Sequence, residues 1–219
     1  MKTLPALEVE NLEVVYDRPV VKGFSLSIPP GETVALMGPS GSGKSSILNC
    51  VVGLRRPTSG RVRVGGEEMS SRRPGQRARL RREWIGVAYQ DAGLLPELTV
   101  AENVAVTLLF DGVGRAKALD MARRSLRAVG LAEHTEKQVD EISGGQAQRV
   151  SIARALVRPS AVLLVADEPT ASLDMVTAAE ITALLQERVR VSGVGALIAT
   201  HDPSVASSCH RVVDLREGS

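Results

Sequence analysis

Aromatic side chains are scarce in this sequence. Phe, Tyr and Trp together make up only 2% of the 219 residues, so the interior must be built from aliphatic side chains. Proteins that bind single-stranded nucleic acid stack its bases on aromatic rings, and too few rings are present here to form such a platform. No nucleic acid is therefore expected as a partner.

Cysteines and long apolar runs are also rare or missing. The two cysteines, Cys50 and Cys209, have neither CxxC spacing nor companion histidines, which excludes a disulfide framework and a zinc site of the usual spacing. Both are expected to be buried thiols in a reducing cytoplasm. The first residues lack the apolar segment of a secretory signal, and no apolar run approaches the ~20 residues of a transmembrane helix. A function at a membrane would therefore require another chain to cross it.

The charge is nearly balanced, with a formal net charge of +2 at pH 7, and by itself indicates no partner. Residues 72–82 are dense in arginine, but no aromatic residues interleave them and Leu80 is their only large apolar residue. This segment is therefore predicted to be a solvated helix or loop rather than a nucleic-acid patch.

Residues 34–50, VALMGPSGSGKSSILNC, join an apolar run to a glycine-rich turn and a helical start. The spacing of Gly38, Gly43, Lys44 and Ser45 satisfies G-x-x-x-x-G-K-[ST], the phosphate-binding P-loop or Walker A motif. Glycines let backbone N–H groups converge on phosphates, and the N-terminus of the next helix favours an anion. Lys44 is predicted to reach the β- and γ-phosphates, and the Ser45 hydroxyl to bind Mg²⁺. The other loop residues predicted to bind the nucleotide are Pro39, Ser40, Gly41, Ser42 and Ser46.

The remaining segments alternate strands and helices. Apolar and polar residues alternate along two runs, residues 7–16 and 24–28. This pattern predicts an antiparallel β layer that flanks the nucleotide. Residues 99–129 have helical periodicity with an interruption, which predicts an insert of two or three helices. Apolar strands at residues 161–166 and 195–200, with a helix between them, complete an α/β alternation.

The strand at residues 161–166 runs directly into Asp167 and Glu168. After a P-loop, this arrangement matches a Walker B element, which places an acidic side chain beside Mg²⁺ at the carboxyl end of a sheet strand. Asp167 is therefore predicted to be a metal ligand, and Glu168 to orient the attacking water.

At this point the chain resembles the ATP-binding cassette (ABC) ATPases over nearly all of its length. The most specific motif is the signature sequence Ile142-Ser143-Gly144-Gly145-Gln146, which precedes a helix and then the Walker B strand. The motifs occur in the family's order: an A-loop aromatic residue (Tyr16), Walker A, the Q-loop glutamine (Gln90), the signature, Walker B, the D-loop with Asp174, and the switch histidine (His201).

The resemblance implies an α/β fold of the P-loop NTPase class, with a RecA-like core sheet, an N-terminal antiparallel β layer and an inserted helical subdomain. It implies one ABC ATPase domain over residues 1–219. Residues 1–90 and 159–219 would form the ATP-binding core and the β layer, and residues 91–158 the helical subdomain that carries the signature.

The resemblance also implies ATP and Mg²⁺ as cofactors and a second copy of the chain as a partner. The two copies would face each other head to tail, so that Ser143, Gly144, Gly145 and Gln146 bind the ATP held by the other P-loop. Asp174 would then link the two sites across the interface.

The implied catalytic set is Glu168, which would polarise water, together with Lys44, Gln90 and His201. His201 would contact the γ-phosphate, while Gln90 would reach Mg²⁺ or the water and join Ser45 and Asp167 as a metal ligand. For three of the implied residues, a purely structural role remains an alternative to the functional one. His201 could be a strand-end histidine bonded to a neighbouring loop, Gln90 a simple loop amide, and Tyr16 a core residue rather than a stacking surface for adenine.

Several stretches, including residues 84–87 and 94–104, resemble the branch of lipoprotein-release (LolD-type) and macrolide-efflux (MacB-type) ATPases, with the cell-division FtsE type nearby. This branch implies a separate integral membrane permease and a cytoplasmic ATPase held through it at the inner face of the cell membrane. Two alternatives remain open. The chain could signal through a membrane partner without moving a substrate, or it could be a soluble ABC ATPase without a transport role.

Overall fold

Two sheets of different kinds form the framework of residues 4–216, the part of the chain that the computed structural model describes. The strands are β1 (Leu7–Val15), β2 (Pro19–Ile28), β3 (Thr33–Met37), β4 (Ser59–Val64), β5 (Glu67–Glu68), β6 (Ile85–Ala88), β7 (Leu163–Asp167), β8 (Gly195–Ala199) and β9 (Arg211–Asp214). The helices are α1 (Lys44–Val51), α2 (Pro74–Trp84), α3 (Val100–Leu109), α4 (Arg115–Ala128), α5 (Gly144–Leu156), α6 (Met175–Ser192) and α7 (Pro203–Ser208). Two short 3₁₀ helices, Ala132–His134 and Val139–Glu141, precede α5.

The larger sheet is parallel and has the strand order β6-β7-β8-β3-β9. Its central strands are covered on both faces, which explains why β3, β7 and β8 are continuous apolar runs rather than alternating ones. Because the strands are parallel, the loops that follow β3, β6, β7 and β8 all leave from the same edge. Ligands of open α/β sheets bind at this carboxyl edge.

The smaller sheet is antiparallel and has the order β2-β1-β4-β5. Leu7, Val9, Leu12 and Val14 of β1 are buried, while polar residues between them face outward. This alternation is the pattern of a sheet with one covered face, and it confirms the antiparallel β layer. The second strand begins at Pro19, five residues before the alternating run that predicted it.

Side chains of the parallel sheet divide by face, according to the period of two in a strand. They join two hydrophobic cores, apart from Leu164 and Ala196, which form a small separate cluster with Val189 and Val194. Leu163, Val165 and Leu197 join α1 and the antiparallel sheet in one core. Ala166 and Ile198 face the other core, which contains the buried faces of α3, α4, α5 and α6. Burying one leucine or isoleucine side chain stabilises the folded state by about 1.5–3 kcal/mol. The aliphatic cores therefore provide the hydrophobic stabilisation that the few aromatic residues cannot.

The arginine-rich segment forms helix α2, one of the two forms expected for it. Its buried residue is Leu80, and Arg81 reaches inward to donate a hydrogen bond from Nη1 to the Val52 carbonyl at 3.1 Å. Among residues 4–216 no helix combines the length and apolar character needed to cross a membrane.

Candidate functional site

A cavity of about 690 Å³ opens at the carboxyl edge of the parallel sheet. Its volume lies within the range of small-molecule sites. The residues that line it come from the end of β1, the start of β2, the P-loop and the segments after β6, β7 and β8. They are Tyr16, Val20, Ser40, Gly41, Ser42, Gly43, Lys44, Ser45, Ser46, Gln90, Asp167, Glu168 and His201. The structure thus brings together most of the residues that the sequence predicted for the nucleotide and the catalytic set.

The P-loop connects β3 to α1 through a backbone that favours glycine. Gly41 and Gly43 have φ values of 81° and 97°. A Cβ on Gly43 would lie 2.9 Å from Val21 Cγ2 and 3.1 Å from the Val20 carbonyl oxygen. Gly43 is also the N-cap of α1, and no side chain caps the helix. The first N–H groups of α1 are therefore left to bind an anion in the loop.

Two side chains of the loop are suited to phosphate. The Lys44 ammonium donates to the carbonyl of Gly38 at 2.6 Å and to that of Pro39 at 3.2 Å. An ammonium has three donors, so at least one remains for a ligand. The buried Ser42 hydroxyl has no hydrogen-bond partner, which leaves another polar group for a phosphate oxygen.

Ser45 and Asp167 meet at one end of the cavity, where Ser45 Oγ donates to Asp167 Oδ2 at 3.0 Å. The pKa of Asp167 is raised, mainly because the carboxyl group is buried. The hydrogen bond from Ser45 lowers this pKa, the negative charge of Glu168 raises it, and the positive charge of Lys44 lowers it. These oxygens fit Mg²⁺, which is usually held by one or two carboxylates together with substrate phosphates. The described residues 4–216 contain no cluster of three or more His, Cys, Asp or Glu side chains that could hold a metal alone.

Glu168 is held in a strained and specific position. Its φ is 47°, an uncommon value for a residue other than glycine, and its side chain is only 11% exposed. Oε1 lies 2.9 Å from His201 Nδ1, and Oε2 lies 3.4 Å from the His201 amide nitrogen and 3.5 Å from Thr200 Oγ1. Sequence reasoning missed the contact with His201 and the role of Thr200. The pairing of Asp167 with Ala199 across β7 and β8 explains both.

The segment after β6 brings Gln90 to the cavity and is tied to helix α5. Gln148 Nε2 donates to the Tyr89 carbonyl at 3.2 Å. Arg154 donates to the carbonyl of Gly93 at 3.1 Å and also to that of Ala92. Sequence reasoning missed Gln148 and Arg154, because no local pattern predicts a contact about 60 residues away.

Tyr16 stands at the cavity as a half-exposed ring, 50% accessible, and belongs to neither hydrophobic core. Its hydroxyl lies 3.4 Å from Ser46 Oγ on α1.

The signature residues lie outside this cavity. Ser143 is the N-cap of α5: its Oγ accepts from the Gln146 N–H at 3.2 Å, and its own N–H donates to Gln146 Oε1 at 2.8 Å. Gln146 Nε2 also lies 3.0 Å from His134 Nε2. The S-x-x-Q spacing of Ser143-Gly144-Gly145-Gln146 is that of a capping box, a signal that sequence reasoning did not use. The structure thus gives Gln146 a capping role and leaves the exposed Ser143 at the start of the helix.

The D-loop packs beside the signature on the same exposed surface. A Cβ on Gly145 would lie 3.1 Å from the Ser172 carbonyl oxygen. Asp174 caps α6: Oδ1 accepts from the N–H groups of Val176 and Thr177 at 3.1 and 3.0 Å, and Oδ2 accepts from Thr177 Oγ1 at 2.6 Å. The bond from Thr177 is the main reason that the pKa of Asp174 is lowered.

Replacing Asp174 with alanine is expected to lower the thermal unfolding midpoint by a few degrees, because it removes the cap of α6. Replacement with asparagine should retain most of the stability. The pKa of Asp174 is lower in the folded than in the unfolded state. The ionised cap therefore stabilises the folded protein at pH values above the unfolded-state pKa, and this stabilisation is lost as the pH falls through the folded-state pKa. Thermal unfolding across acidic pH should show the wild-type advantage over alanine shrinking; an advantage that grows in acid would contradict the capping role.

Together, the fold and the cavity define a P-loop NTPase with an added antiparallel sheet and inserted helices. A second motif, Ser143-Gly144-Gly145-Gln146, begins helix α5 outside the cavity. The family model described as ABC transporter matches residues 21–171. The chain therefore belongs to the ABC transporter family, and it is an ABC ATPase of the LolD/MacB type.

Similar proteins and structures agree with this assignment. Lipoprotein-releasing system ATP-binding protein LolD 1 of Rhodospirillum rubrum is 46% identical over 200 residues, covering 91% of this chain and 88% of that protein. Macrolide export ATP-binding/permease protein MacB of Syntrophobacter fumaroxidans is 42% identical over 220 residues. The match covers 97% of this chain but only 30% of that longer protein. The dimeric ATP-binding cassette MJ0796 in a post-hydrolysis state, bound to ADP and phosphate, has a TM-score of 0.89 and 32% identity, with 95% of this chain and 93% of that chain covered. The predicted family, fold class and ATPase activity are confirmed.

Proposed function

We propose that this chain binds and hydrolyses ATP between two cassettes and drives a separate membrane permease. The observation that carries the proposal is the separation of the two phosphate-binding elements. The P-loop lies in the cavity, whereas Ser143 and the N-terminus of α5 are exposed on another surface. One copy therefore supplies two half-sites, and a head-to-tail second copy would complete each of them. The dimeric structure of a similar cassette bound to ADP and phosphate supports this arrangement.

In this proposal the P-loop N–H groups, Lys44 and Ser42 bind the phosphates of ATP, and Tyr16 contacts the base. Ser45 and Asp167, with Gln90 nearby, would hold Mg²⁺. Bound Mg²⁺ would neutralise charge on the β- and γ-phosphate oxygens. The hydrogen bond between Ser45 and Asp167 supports the proposed Mg²⁺ site. The start of α1, which no side chain caps, supports the proposed phosphate site.

Glu168 is the proposed residue that orients the attacking water and accepts its proton. Its carboxylate is nearly buried, and His201 Nδ1 fixes one oxygen at 2.9 Å. A carboxylate held in one direction can order water for in-line attack. His201 is the more exposed partner, with 71% of its side chain accessible, so it could contact a γ-phosphate while positioning Glu168.

We further propose that residues 91–158 act as a helical subdomain that transmits changes at the nucleotide, with residues 1–90 and 159–219 as the ATP-binding core. The hydrogen bonds from Gln148 and Arg154 to the segment around Gln90 support this coupling. Beside this segment lies a groove of about 360 Å³ lined by Tyr89, Arg81, Arg82, Arg154 and Arg158, among other residues. A cytoplasmic helix of the permease is proposed to dock there and would hold the chain at the inner face of the membrane.

The experiment that tests this function begins with co-purification of the tagged chain from membranes and identification of the bound permease. The purified complex, reconstituted in vesicles, should hydrolyse ATP faster than the isolated chain. Hydrolysis that is unaffected by any membrane partner would contradict the transporter role while leaving the ATPase intact.

Replacing Gln90 with alanine should weaken permease-stimulated hydrolysis more than ATP binding, because Gln90 lies in the cavity while its segment is tied to α5. Hydrolysis with and without the permease, together with ATP affinity from calorimetry, checks this result. Gln186→Ala on α6 is the control, since its amide donates to the distant Ser208 carbonyl. Equal losses of binding and stimulation in Gln90→Ala would contradict the coupling role.

A further inference from the structure

Arg55 covers one face of Tyr16. The guanidinium carbon lies 3.7 Å from the centroid of the ring, well within the distance for a cation–π interaction. Arg55 Nη2 also donates to the carbonyl of Val15 at 3.0 Å. The guanidinium is therefore fixed against both the ring and the backbone residue that precedes it.

Both members of this contact are also tied to the helix that follows the P-loop. The N–H groups of Leu54 and Arg55 both donate to the Asn49 carbonyl at 2.9 Å, which sets the backbone of Arg55 from the end of α1. The Tyr16 hydroxyl lies 3.4 Å from Ser46 Oγ in the first turn of α1. The position of the ring is consequently set relative to the phosphate-binding helix, although Tyr16 itself follows β1.

Tyr16 is exposed and stands at the nucleotide cavity. Tyr16 lines the cavity, whereas Arg55 does not, so Arg55 contacts the ring without being part of the cavity wall. Tyr16 remains 50% exposed with Arg55 in place, which leaves surface for a ligand in the cavity. A triphosphate held by the P-loop would extend its base toward the edge of the cavity where Tyr16 lies.

We propose that Arg55 is a positioning residue that holds Tyr16 as a stacking surface for the base and thereby favours purine over pyrimidine nucleotides. A ring ordered before binding does not lose that freedom when the base arrives, and a purine offers the larger stacking area. The inference rests on the proposed function, because it assumes that the cavity binds ATP.

The test compares Arg55→Ala with Arg56→Ala, which removes the same charge from the adjacent exposed residue. We expect Arg55→Ala to raise the KM for MgATP roughly threefold to tenfold, as expected for loss of one cation–π contact and one ordered side chain. The kcat should stay the same, because the base is bound equally in the ground and transition states. The ratio of kcat/KM for ATP to that for CTP should fall, and Arg56→Ala should match the wild type in both readouts.

Two further variants separate positioning from a general effect on the fold. Arg55→Lys should be intermediate, since it keeps the cation without the planar group that stacks on a ring. In a Tyr16→Ala background, adding Arg55→Ala should have little further effect, because the residue that it positions is gone. Thermal unfolding of every variant provides the check on folding.

An unchanged KM and ATP/CTP ratio in folded Arg55→Ala would overturn the inference, as would effects that add fully to those of Tyr16→Ala. An unchanged ratio in Tyr16→Ala would overturn stacking itself. Equilibrium binding of MgATP and MgCTP by calorimetry gives the same comparison without turnover. If the wild type binds ATP but does not hydrolyse it, the proposed function fails, while these binding data still decide the role of Arg55.

Discussion

Glu168→Gln is expected to slow ATP hydrolysis by about a hundredfold or more while ATP binding persists. Proton transfer by a positioned side chain is typically worth about 10²–10⁴-fold in rate, and a glutamine amide cannot accept the proton. The amide has nearly the shape of the carboxylate and can still bond to Thr200 and the His201 backbone. The cavity should therefore stay intact while the chemistry stops.

The same substitution should also favour an ATP-dependent dimer. It removes a negative charge beside Asp167 in the cavity proposed to hold the phosphates, and it would prevent the hydrolysis that is proposed to release two copies from each other. Turnover by phosphate release, affinity by calorimetry and size by light scattering check the three parts. Glu13→Gln on the exposed face of β1 is the control and should behave like the wild type. Normal turnover in Glu168→Gln would contradict the role of Glu168.

The main elements near the nucleotide could be predicted from sequence because each depends on local pattern. The strand, loop and helix of Walker A follow from an apolar run, from glycines that permit positive φ and from a helical start, and the structure places them at residues 33–51. The parallel sheet likewise follows from apolar strands that alternate with helices.

The arrangement of side chains within the site depends on strand order, which local pattern does not determine. Glu168 meets His201 because β7 lies next to β8 in the sheet. A different neighbour for β7 would have placed another residue against the carboxylate. The contact of Arg55 with Tyr16 is also non-local, since it joins the segment after α1 to the end of β1.

Sequence alone also does not show whether a polar side chain caps a helix or binds a ligand. Gln146 was predicted to bind nucleotide, and the structure engages its amide with Ser143 and His134. Asp174 was predicted to link two copies, and its carboxylate caps α6. In both cases the polar group orders the start of a helix on the surface that also carries Ser143. These residues could therefore support a second half-site by shaping it.

Mixing two inactive variants is expected to restore hydrolysis when their defects lie in different half-sites. Lys44→Ala should lose ATP binding, because the ammonium is held at the phosphate loop. Gly144→Asp should still bind ATP in its own cavity, which Gly144 does not line, and a Cβ at Gly144 would meet no other atom within 4 Å. A carboxylate in the first turn of α5 suits the helix dipole, so the helix should persist. It would, however, repel the phosphates presented by a second copy.

A mixed dimer of these variants has one site with both defects and one site with neither. If the variants associate at random and the sites act independently, half of the dimers are mixed and each has one working site, so turnover should reach about a quarter of the wild-type rate. Lys44→Ala mixed with Glu168→Gln is the matched control, because both residues belong to the same half-site and no intact site can form. Restoration in this control as well, or in neither mixture when crosslinking shows mixed dimers, would contradict the head-to-tail arrangement.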